Sequence, residues 1–148
     1  MDKIAEILQT AKQRAAQNNL PYAGALTPHE AFDVLQADEN TVLVDVRSRA
    51  ELELVGRIPL AAHIEWAFYP GMLPNPEFAA QLQAAVDKNT SVIFMCRTGG
   101  RSHNAAVIAQ GLGYQAYNML EGFEGEANAE RQRTLINGWK HAGLPWNN

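Results

Sequence analysis

The chain has 148 residues, 47% of them apolar and 19% charged, with a formal net charge of −4. That length fits one compact domain, and the composition is far from disordered or fibrous classes. The negative balance gives no broad electrostatic case for nucleic-acid binding, so any cationic site must be local.

The predicted elements follow in chain order. Ile4, Ile7, Leu8, Ala11 and Ala15 recur at helical spacing and predict an amphipathic helix over Ile4–Ala16, stopped by Asn18-Asn19-Leu20-Pro21. A connector through Gly24 follows, and residues 1–24 read as a helical extension preceding a domain over 25–148. Thr27, Pro28 and Glu30 form a capping-box start for a second helix, with Ala31, Phe32, Val34 and Leu35 on its apolar side. Thr41–Val46 reads as a buried strand and Arg49–Leu54 as a short helix ended by Gly56. Trp66–Pro76, with three prolines and Gly71, reads as a long loop. Its aromatics Trp66, Phe68 and Tyr69 either pack locally or wall a pocket. A helix then starts at Asn75-Pro76-Glu77, with Phe78, Leu82, Ala85 and Val86 inward.

Ser91–Met95 is a second buried strand and runs directly into Cys96. A helix over Ser102–Leu112, a strand over Tyr114–Leu120 and a last helix carrying Leu135, Ile136, Trp139 and Lys140 complete the reading. Alternating strands and helices imply right-handed crossovers and a mainly parallel sheet with helices on both faces, an α/β fold of three layers. Ligands in such folds sit beyond the carboxyl ends of the strands, where Cys96 lies.

Cys96 is the single cysteine, which excludes an internal disulfide and a thiolate-rich metal site. The histidines His29, His63, His103 and His141 have no metal-ligand spacing, and no metal or organic cofactor is expected. The chemistry therefore centres on Cys96-Arg97-Thr98-Gly99-Gly100-Arg101-Ser102. Two adjacent glycines let successive amides converge on an anion, and the following helix adds its positive end. Ser102 is placed to cap that helix. Such surroundings, with Arg97 and Arg101 adding full charges, favour a thiolate without a histidine base.

Two separated segments resemble the rhodanese family. One is Leu43-Val44-Asp45-Val46-Arg47-Ser48 with Glu51 and Gly56-Arg57-Ile58-Pro59; the other is the Cys96–Ser102 loop. Leu120-Glu121-Gly122 and Trp139 through Gly143-Leu144-Pro145 add a weaker third match, so the likeness covers about residues 26–146. The resemblance implies a sulfurtransferase with a persulfide on Cys96, held by backbone from Arg97 to Arg101. Arg97 and Arg101 would bind an anionic donor such as thiosulfate. The expected acceptor is cyanide in an assay or a cellular or protein thiol, with no nucleic-acid or membrane partner. A sulfur-carrier or redox-sensing module serving a dedicated protein partner is the alternative. Four residues separate Cys96 from Arg101, where related cysteine phosphatases typically have five. The shorter loop disfavours phosphatase and arsenate reductase activity.

Asp45 and Arg47 share a face of their strand and read as a scaffold ion pair. His103 reads as a solvated helix position. Glu124–Asn128, after Phe123, reads as a polar insertion, either a lid over the sulfur site or a solvated connection. No run of the chain is apolar enough to span a bilayer, and Met1–Glu6 lacks the features of a signal peptide. The expected location is the cytoplasm.

Overall fold

The computed structural model describes residues 2–148; Met1 lies outside them. The elements are α1 (Lys3–Gln17), β1 (Gly24–Leu26), α2 (Pro28–Ala37), β2 (Thr41–Asp45), α3 (Arg49–Val55), β3 (Ala62–His63), β4 (Ala67–Phe68), β5 (Leu73–Pro74), α4 (Phe78–Ala85), β6 (Ser91–Met95), α5 (Gly100–Gly111) and β7 (Gln115–Met119). Five strands form one sheet in the order β1-β7-β6-β2-β3, and every neighbouring pair is parallel. The expected three-layer α/β architecture is present. Among the described residues, no helix is long and apolar enough to cross a membrane.

Strand alternation sorts the core onto two faces. Val92, Phe94 and Cys96 point toward α4 and α5, into a cluster with Phe78, Leu82, Ala105, Ala106 and Ala109. Ile93 and Met95 point the other way, toward Ile7 and Ala11 of α1, Val34 of α2 and the distant Phe123 and Trp139. A strand covered on both faces reads as a continuous apolar run, which is why β6 is legible in the sequence.

The helix starts follow local chemistry. Asp2 accepts from the Ala5 amide ahead of α1, and Thr27 with Glu30 forms the predicted capping box of α2. Ser48 and Glu51 form a second capping box at α3, and Gly56, at φ +119°, ends that helix.

Four expectations need correction. The connector through Gly24 contains β1, which pairs with β7 and closes the sheet edge. Gly24 is required there, because a Cβ would lie 2.9 Å from Ala11 of α1. The Trp66–Pro76 loop holds a minimal antiparallel pair, β4 with β5. Trp66 packs edge-on to Phe78 at 4.9 Å between centroids, while Phe68 and Tyr69 are exposed. Ala85 of α4 faces solvent rather than the core. The last predicted helix is absent: residues 120–148 form turns, with Leu135 and Ile136 exposed and Trp139 fully buried. Left-handed backbone at Arg131 (φ 63°), Thr134 (φ 74°) and Gly138 (φ 105°) interrupts any helical ladder there.

Candidate functional site

Cys96 follows the last residue of β6, at the carboxyl end of the central sheet. Its side chain is buried, with 1% of its surface exposed. The chain then turns through Arg97 and Thr98, both exposed, to Gly99. Gly99 adopts φ +114°, a left-handed value that suits glycine, and serves as the N-cap of α5. The turn aims the Gly99 amide at the cysteine: its N–H donates to Cys96 Sγ at 3.1 Å. One backbone amide thus reaches the sulfur, where the sequence reading expects several to converge.

Ser102 does not cap α5. It lies inside the first turn, fully buried, with its hydroxyl 3.3 Å from Cys96 Sγ. Asn118 of β7 fixes its role. Asn118 Nδ2 donates to the Gly99 carbonyl at 3.2 Å, so its Oδ1 accepts from the Ser102 hydroxyl at 2.6 Å. While that bond stands, Ser102 offers the sulfur a lone pair, and a thiol proton can donate to it. On ionisation, rotation of the hydroxyl gives the thiolate a second donor beside the Gly99 amide. Asn118 was not singled out from the sequence, because its partners lie 16 and 19 residues away.

The two arginines are placed differently from expectation. Arg101 turns to Glu51 of α3 and makes a bidentate pair at 2.7 and 2.9 Å. Burial alone would raise the Glu51 carboxyl. The Arg101 hydrogen bonds and charge, with the Ser48 amide and hydroxyl, outweigh burial and hold it at about 2. Burial likewise works to lower Arg101, and Glu51 raises it above its ordinary value. Arg97 Nε lies 3.0 Å from Glu124, with side-chain exposures of 46% and 14%. Both guanidinium groups are thus already paired with carboxylates. The groups directed at the sulfur are the Gly99 amide and the Ser102 hydroxyl.

The loop is held from beneath by the segment after β7. Phe123 N–H donates to the Cys96 carbonyl at 2.9 Å and Glu124 N–H to the Arg97 carbonyl at 3.0 Å. Gly122 lies so close that a Cβ there would stand 2.4 Å from Arg97 O. Further along, Thr134 N–H donates to the Glu124 carbonyl, and Trp139 N–H to that of Gly122. Phe123 and Glu124 are therefore bonded to the loop's own backbone, and the chain through Thr134 and Trp139 closes back onto Gly122 and Glu124. Phe123 is fully buried, and the Arg47 guanidinium stacks 4.2 Å from its ring centroid. Arg47 also pairs with Asp45 at 2.8 Å and donates to the Gly56 carbonyl, the scaffold role read from the sequence.

On the loop's other flank lies a cleft of about 510 Å³ walled by Gly99, Gly100, His103, Asn118 and Tyr22. His103 is not a solvated position: its Nδ1 is 2.8 Å from the Tyr22 hydroxyl. Arg14 of α1 and Asn18, its C-cap, also line the cleft.

Residues 28–129 match the family profile described as the rhodanese-like domain. The chain belongs to the rhodanese-like domain family. Curated relatives include an uncharacterized protein of Rickettsia conorii, 37% identical over 79% of this chain and 91% of its own length. A Bacillus subtilis protein named as a candidate sulfurtransferase is 32% identical over 62% of this chain and 82% of its own. Among solved structures, the M. tuberculosis protein Rv0390 superposes with a TM-score of 0.78 at 40% identity, covering 85% of this chain and 98% of that one. The polysulfide-sulfur transferase homodimer from Wolinella succinogenes shares the rhodanese fold, with a TM-score of 0.57 at 21% identity over 98% and 93% of the two chains.

Proposed function

We propose that the protein is a sulfurtransferase that carries sulfane sulfur as a persulfide on Cys96. The observation that carries this reading is the Gly99 N–H at 3.1 Å from Cys96 Sγ, on a loop that presents an amide and a hydroxyl to one sulfur. Such a cradle suits a thiolate, and also a persulfide, whose charge sits one atom further out. Rhodanese-like family membership and the relative named as a candidate sulfurtransferase support the same chemistry.

The cycle is ping-pong. The Cys96 thiolate attacks the outer sulfur of an anionic donor of the thiosulfate type. The Sγ–S bond forms, and the bond behind the outer sulfur breaks with its electron pair going to the leaving group. Arg97, Thr98, Gly99, Gly100, Arg101 and Ser102 supply the surrounding wall. Cyanide or a thiol then attacks the outer sulfur and returns Cys96 as thiolate. With no second cysteine in the chain, the acceptor comes from outside.

Steady-state thiosulfate:cyanide and thiosulfate:thiol assays test the proposal. Turnover that disappears in Cys96→Ser is the expected result. Turnover that survives in Cys96→Ser contradicts it.

A further inference from the structure

The loop beside Cys96 carries two cations, Arg97 and Arg101, and each is matched by one carboxylate. Glu51 takes Arg101 in the part-buried bidentate pair, and Glu124 takes Arg97. The Glu124 backbone is held in place: its amide donates to the Arg97 carbonyl and its own carbonyl accepts from Thr134. The side chain thus meets Arg97 from a backbone already bonded to the same residue. Side-chain charge at the loop sums to zero. What remains positive is the Gly99 amide and the N-terminal end of α5, fractional charges suited to one negative charge.

We propose that Glu124 is a specificity-determining residue that, by pairing with Arg97, sets the loop to take sulfur from singly charged donors in preference to dianions. The inference rests on the sulfurtransferase reading above and names the donor class it favours. Thiosulfate brings two charges to a site that holds the Cys96 thiolate and lacks an unpaired cation. An alkanethiosulfonate brings one and delivers its sulfur by the same step. Cys96 attacks the outer sulfur, the new S–S bond forms, and the old one breaks with its pair leaving on sulfite or on alkanesulfinate. No oxidant or reductant is needed. Coulomb attraction to a freed Arg97 scales with donor charge. Releasing that arginine therefore helps the dianion about twice as much, in logarithmic terms, as the monoanion.

The test measures KM for thiosulfate and for methanethiosulfonate, with cyanide as common acceptor, in the wild type, Glu124→Gln, Arg97→Gln and the double variant. In Glu124→Gln, KM for thiosulfate falls about three- to tenfold and that for methanethiosulfonate about two- to threefold, the scale of a half-exposed ion pair. Added salt at about 0.5 M erases the difference. In Arg97→Gln the stranded carboxylate raises KM more for thiosulfate than for methanethiosulfonate. The double variant, neutral at both positions, returns to the wild-type ratio of the two donors. Equal shifts for both donors, no shift, or a double variant that keeps the Glu124→Gln ratio overturns the inference while leaving the persulfide intact. Failure of every variant and of the wild type to form a persulfide removes the sulfurtransferase reading and this inference together.

Discussion

Two arginine–glutamate pairs flank Cys96, and they differ in burial rather than in chemistry. On one side Arg101 and Glu51 meet in a bidentate pair with side-chain exposures of 21% and 20%. There Glu51 also holds the N-cap Ser48, so one carboxylate joins the start of α3 to the start of α5. On the other side Arg97 meets Glu124 through one contact, with the guanidinium nearly half exposed. Solvent screens the second pair and leaves its geometry replaceable, while the first is fixed by everything it touches. The same ion-pair motif thus serves as scaffold on one flank and as an adjustable charge on the other.

The sharpest way to break this contrast is to remove one partner of the more buried pair. Arg101→Ala leaves the Glu51 carboxylate without its counter-ion and is expected to cost about 2–4 kcal/mol of stability. Sulfur transfer should fall at least tenfold as α5 loses its tie to α3. Denaturant melts and steady-state rates check both effects. Next comes acid. The Glu51 carboxyl sits at about 2, below its ordinary 4.5. Its contribution is therefore present above about pH 4.5 and fades as pH falls toward 2. Linkage puts that contribution at about 3 kcal/mol. Glu51→Gln should lack it at neutral pH and show a shallower acid limb in stability measured against pH.

A smaller effect is expected at Asn118. Asn118→Ala frees the Ser102 hydroxyl and the Gly99 carbonyl, at about 1–2 kcal/mol for a buried hydrogen-bonding side chain. The rate of sulfur loading should drop several-fold with KM for the acceptor unchanged, as read by single-turnover kinetics. Smallest of all, Arg97→Ala should change stability by at most about 1 kcal/mol, as exposed pairs do. A loss as large as that of Arg101→Ala would erase the distinction between the flanks.

Much of the frame was legible because its signals are local. β2 and β6 are short β-branched, apolar runs, and Thr27-Pro28-His29-Glu30 announces α2 without any tertiary information. The Cys96–Ser102 loop was legible for the same reason: glycines, arginines and a strand end occur within seven residues. Its wiring was not. Ser48-Arg49-Ala50-Glu51 is a readable capping box, yet nothing local shows that Glu51 also receives Arg101, 50 residues on. β1 escaped because three residues, Gly24-Ala25-Leu26, carry no strand periodicity and are recruited by β7. The segment after Leu120 misled most. Its apolar spacing suggests a helix, but left-handed residues and backbone bonds to Gly122, Phe123 and Glu124 override that preference. Glu124 lay in view as a polar insertion, and only the fold brings it to Arg97.

The central claim is that Cys96 bears the transferred sulfur. Intact-protein mass spectrometry after incubation with thiosulfate tests it most directly. The expected result is a mass gain of one sulfur atom, reversed by dithiothreitol and absent in Cys96→Ser. An unchanged mass in a folded protein, or an adduct that persists in Cys96→Ser, would contradict it.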